Sequence, residues 1–122
     1  MLRRESLEAR KATLRRSLKE EEDVLMQAVL AMSVRDSLEL LVLAGAQHAS
    51  KRVAQSIQKA AAAKSMQCMA EGRHLEAVRL LIQTSQRQAA EAALEAALLY
   101  HTEEQDTVRQ KLIEMQADID EI

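Results

Sequence analysis

From Leu75 to Ile122 apolar side chains return every three or four residues, and neither proline nor glycine interrupts them. That period matches the 3.6-residue turn of an α-helix and not the two-residue alternation of a strand. The remainder of the chain agrees. Among 122 residues there is no proline, the glycines are Gly45 and Gly72, and Tyr100 is the one Phe, Tyr or Trp. Strands draw on β-branched and aromatic residues, whereas Ala, Leu, Gln, Glu, Lys and Arg, which dominate here, lose least on entering a helix. The chain is expected to be all-α and to form one domain. Without large rings its core must be built from Leu, Ile, Val, Met and Ala, a palette that suits narrow seams between helices.

The spacing predicts a long antiparallel helical hairpin with an additional N-terminal helix, three long helices within a single domain 1–122. The first, residues 1–32, carries a seam of Leu7, Leu14, Leu18, Leu25, Ala28 and Met32. Ser33 with Asp36 three residues later is an N-cap signal, so the chain bends there. The second, 34–70, is Ala-rich, with a stripe of Leu38, Val42, Gly45, Ala49, Val53, Ser56, Ala60 and Ala63. Such small residues allow close approach of two helices, and Gly45 either serves that contact or marks a break. Gly72 is the hairpin tip, because glycine takes the left-handed conformation that ends a helix. The third helix, 74–122, carries Leu75, Val78, Ile82, Ser85, Ala89, Ala92, Ala96 and Leu99, then Leu94, Leu98, His101, Gln105, Val108, Leu112, Met115, Ile119 and Ile122. Thr102 to Gln105 reads as a capping box that would break this helix at 101–103 and give a four-helix bundle. The heptad passes through in register, which favours the continuous helix.

Net charge is −2, but residues 1–19 hold seven basic side chains against two acidic ones, and from Glu103 onward there are seven acidic against two basic. The two ends attract, closing one molecule or joining head to tail in a homo-oligomer. The basic residues Arg3, Arg4, Arg10, Lys11, Arg15, Arg16 and Lys19 are the expected contact with an acidic helix or an anionic membrane surface, against the alternative of a solvated helix face. A slightly acidic chain without stacking aromatics is a poor nucleic-acid ligand. The longest apolar run, Leu40 to Ala46, is too short to cross a bilayer. A lone cysteine, Cys68, cannot form an internal disulfide, which points to a reducing, cytoplasmic compartment, with peripheral membrane attachment through the basic residues.

Glu71 and His74 have the Glu-x-x-His spacing of di-metal bundles, and His101 with Glu104 mirrors it, but such a site needs further glutamates in the same layer. The competing reading is a solvated hairpin tip. His101 and Gln105 on an apolar seam are either a pH-sensitive polar layer or a partly exposed pair at a bend. Cys68 reads as a small core residue. No phosphate loop or nucleophile frame is recognised, so no catalytic, cofactor or metal residue is assigned, and the expectation is a non-enzymatic helical scaffold or assembly module, with a closed monomeric bundle acting as a soluble protein-protein adaptor as the alternative. Its docking face for a helix of its own kind or of another protein would be Val108, Leu112, Met115, Ile119 and Ile122.

Residues 54 to 99 carry Ala62 and Lys64, the tip Gly72-Arg73, then Glu76-Ala77-Val78-Arg79-Leu80-Leu81, Gln86-Arg87 and Ala93-Leu94-Glu95-Ala96. This stretch resembles the first two core helices of the ESCRT-III, or charged multivesicular body protein, family. The resemblance implies a hairpin of two long helices and assembly on membranes through basic surface, restrained by acidic C-terminal segments. Gly-x-x-x-Glu-Ala at the tip is also similar to the microtubule-interacting and trafficking domain and to tetratricopeptide units. Residues 1–32 have no counterpart in the ESCRT-III pattern.

Overall fold

The structure, a computed structural model, describes residues 9, 20–47 and 50–122, and among these it consists of α-helices joined by short turns, without strands. Helix α1 covers residues 20–31, followed by α2 (Val34–Gln47), α3 (Lys51–Ala70), α4 (His74–Gln83), α5 (Arg87–Tyr100) and α6 (Thr107–Asp120). The seven basic residues between Arg3 and Lys19 lie outside the described residues, as do Leu7, Leu14, Leu18 and Ala49.

All-α holds, but the long helices are divided. Residues 34–70 form two helices because Ser50 caps α3, its hydroxyl accepting from Val53 N at 3.3 Å. Residues 74–122 form three. Thr84 N, Ser85 N and Gln86 N bond back to Leu80, Ile82 and Leu81 carbonyls, and Ser85 takes φ 56°, the left-handed turn that closes a helix. The second break follows Tyr100, where the sequence allowed one. Its cap is not Thr102: Asp106 caps α6, its carboxylate accepting from Val108 N at 2.8 Å.

Two expected breaks stand. Ser33 Oγ accepts from Asp36 N at 3.2 Å at the start of α2. Gly72, at φ 79°, ends α3, with Arg73 N on Cys68 O and Gly72 N on Met69 O, so the orphan carbonyls of the last turn are satisfied. Gly45 makes neither a break nor a close contact. A Cβ there would meet Ile57 Cδ1 at 3.5 Å, ordinary van der Waals distance.

Successive helices reverse direction. Ser65 Oγ donates to Ala77 O at 2.9 Å while Gln58 and Gln86 bond near the far end, so α3 and α4 are antiparallel. Arg109 reaches Leu98 O and Arg87 lies 4.0 Å from Asp120, so α5 and α6 are too. In contrast, α1 runs parallel to α3: Glu22 lies by Arg52 and Ser56, and Leu30 and Met32 by Lys64.

The largest apolar cluster joins α4, α5 and α6 through Val78, Leu81, Ala90, Leu94, Ala97, Leu112, Met115 and Ile119. Val34, Cys68, Ala77 and Leu80 form a second where α2 meets α3 and α4, and Val29, Leu41, Ala60 and Ala61 a third among α1, α2 and α3. The turn at Ser85 re-phases the chain, so α5 buries Ala90, Leu94 and Ala97 while Ala92, Ala96 and Leu99 of the expected stripe face solvent. Val42 is likewise exposed, on a stripe expected to be covered.

Candidate functional site: a histidine relay across three helix ends

The turn at Gly72 starts α4 at His74 with the imidazole directed inward, only 6 % exposed. Helix α5 ends at Tyr100, with His101 as its C-cap, and α6 starts behind Asp106. These three ends meet. His74 Nδ1 lies 2.7 Å from His101 Nε2, and His101 Nδ1 lies 2.7 Å from Asp106 Oδ2. The Tyr100 ring centroid stands 4.9 Å from that of His74 and closes one side. Arg109 fixes the turn from α6, its guanidinium donating to His101 O at 2.7 Å.

Hydrogen-bond logic sets the protons. An ionised carboxylate only accepts, so His101 carries its proton on Nδ1 and donates to Asp106. In neutral His101, Nε2 is then an acceptor, and His74 Nδ1–H donates to it. The bond from His101 holds the Asp106 carboxyl below the usual carboxylate range, helped by Val108 N–H. Burial pushes the His74 imidazole below its ordinary value, and the neighbouring His101 adds to this. Position at a helix N-terminus, the positive end of the dipole, works in the same direction.

Among the described residues no group of three or more His, Cys, Asp and Glu side chains is placed to hold a metal ion. Of the two Glu-x-x-His pairs, the histidines meet each other, while Glu71 is exposed and lies 3.5 Å from Arg73 and Glu104 is exposed. Gln105 is exposed and does not pair with His101, whose partners are His74 and Asp106. Sequence reading singled out His74 and His101 separately and missed Asp106, whose place after two turn residues is itself an N-cap signal.

The expected docking face of α6 is occupied from within the chain. Leu112, Met115 and Ile119 are buried in the α4–α5–α6 cluster and Val108 packs against it, while Ile122 is 37 % exposed. Lys64, one of the residues that carried the family resemblance, is not surface charge. It is 4 % exposed, and its three Nζ donors reach Leu30 O at 3.1 Å, Met32 O at 2.6 Å and Gln67 Oε1 at 2.7 Å. It thereby caps the C-terminal end of α1, where a cation also meets the negative end of the helix dipole. Cys68 is buried against Val34, Ala77 and Leu80, and burial pushes its thiol up, which disfavours the thiolate. No helix among the described residues is long and apolar enough to cross a membrane. Comparison with protein-family models, with curated proteins and with solved structures finds no match for this chain.

Proposed function

We propose that the chain is a non-enzymatic helical interaction module, a closed monomeric bundle that acts as an adaptor between proteins. The seam of α6 carries this reading: Leu112, Met115 and Ile119 are covered by α4 and α5, so the core needs no second copy to bury it. The surface left for a partner helix includes adjacent apolar pairs. Val42 and Leu43 face outward on α2, and Leu99 and Tyr100, 76 % and 75 % exposed, end α5. Between α4 and α6 an open groove of about 580 Å³ has Ile82 and Met115 among its apolar residues and Arg79, Lys111, Glu114 and Asp118 among its charged ones. Apolar contacts with charges of both signs around them are what an amphipathic helix requires.

The charge of residues 3–19 favours a second reading, cytoplasmic assembly on an anionic membrane in the manner of ESCRT-III proteins. Sedimentation with phosphatidylserine-containing vesicles separates the two. The adaptor reading expects the chain in the supernatant, with or without Arg10→Glu, Arg15→Glu and Arg16→Glu. Pelleting that the triple variant abolishes would overturn it in favour of the membrane.

A further inference from the structure

The hydrogen-bonded chain His74–His101–Asp106 joins three helix ends that are distant in sequence, and its geometry limits how many protons it can hold. With both imidazoles neutral, His74 Nδ1–H donates to His101 Nε2 and His101 Nδ1–H to Asp106. One added proton is accommodated without breaking either contact. The bridging proton passes to His101 Nε2 and the added one binds His74 Nε2, so His101 then donates from both nitrogens, to Asp106 and to His74 Nδ1. A second proton places N–H against N–H across the 2.7 Å between the rings, and two cations side by side at a buried site. That contact must open.

We propose that this chain is a proton-operated latch, which holds the α5–α6 turn against the start of α4 until both imidazoles are protonated and then releases the first turn of α6. The device goes beyond the adaptor reading and does not depend on which partner the module meets. Release would act on the segment that leads into Leu112, Met115 and Ile119, the seam that α6 otherwise keeps covered.

The other ionisable groups at the ends of the elements that meet here are Cys68 at the end of α3, Glu71 and Arg73 at the tip, Glu76 on α4, Tyr100 on α5, Glu103 and Glu104 in the turn, and Arg109 on α6. Arg73 is drawn to Glu71 at 3.5 Å and Glu76 at 3.7 Å, and Arg109 to backbone carbonyls. Among the described residues neither imidazole has a further hydrogen-bond partner, so the latch responds to its own three members. The direction of the pH effect follows from His74 and Asp106. His74 titrates lower in the folded chain than its ordinary 6.5, so the unfolded chain takes up that proton first. The stability it contributes is complete above about pH 6.5 and is lost as pH falls from there through the folded value. Asp106, also lowered, adds stability that persists down to its ordinary 3.8 and is lost as pH falls below that through its folded value.

Histidine-ring NMR and amide exchange on the intact chain, from about pH 7.5 to about pH 5, test the latch. The expected result is a His74 midpoint below 6.5 and, with the same midpoint, a loss of amide protection at Val108 to Gln110. His74→Gln should remove that pH dependence. A His74 midpoint at its ordinary value with unchanged protection would overturn the proposal, and so would a His74→Gln chain that keeps the wild-type pH dependence. If that variant does not fold, the wild-type titration decides alone.

Discussion

Helix α3 packs against α1 and α2 on one side and, on the other, mainly against α4, which with α5 carries α6; the two sides are fastened by different means. The α3–α6 side is fastened mostly by apolar area: Val78, Leu81, Leu94, Leu112 and Ile119 are buried or nearly so and belong to one continuous cluster. The α1–α2 side has a smaller cluster, built around Val29 and Leu41, and adds buried polar contacts. Lys64 ties the end of α1 to α3, and Ser37 Oγ donates to Val29 O at 2.8 Å, joining α2 to α1. Area is tolerant of small shifts, whereas a donor aimed at a carbonyl fixes position. One side of this fold is thus closed mainly by quantity of burial, and the other by the placement of a few groups.

Breaking the apolar side gives the largest effect. Leu112→Ala removes a fully buried side chain and should cost about 3 kcal/mol, lowering the stability of the whole fold in urea unfolding. A cost below about 1 kcal/mol, typical of an exposed leucine, would mean that α6 does not close the core. The polar side should fail more locally. Lys64→Met strips two carbonyls of their donor and should cost about 2 kcal/mol, with faster amide exchange around residues 28–37 while α4 to α6 stay protected. Uniform loss across all helices would show that the two sides are not separable. The smallest effect sharpens the comparison in the other direction. Ser85→Gly relieves the left-handed conformation that a side chain resists, and should stabilise the α4–α5 turn by about 0.5–1 kcal/mol in thermal unfolding.

The same division explains what the sequence made legible. Seams survive interruption when the interruption preserves phase: Leu112, Met115 and Ile119 are buried as their spacing indicates, although the helix that carries them begins only at Thr107. Gly72 and Ser33 were readable because glycine and an N-cap hydroxyl each have a local mechanism. The turn at Ser85 was not. A serine in the left-handed region carries no signal of its own, and the apolar period ran through it, so Leu99 was expected inside and stands outside. The role of Lys64 was not legible because its partners include main-chain carbonyls at the end of another helix, which no side-chain pattern announces. The relay was hidden for a related reason: His74 and His101 are brought together by the turn at Ser85, which the period concealed, Asp106 joins them through the turn after Tyr100, and each histidine alone resembled a solvated tip or bend.

Helix α6 completes the core of its own chain. Light scattering of the purified protein across concentration and at low and high salt tests it most directly. The expected mass is that of one chain, 13.7 kDa, at every concentration and salt level. A mass that grows with concentration and falls back with added salt would contradict it, and would mean that basic and acidic ends join different molecules.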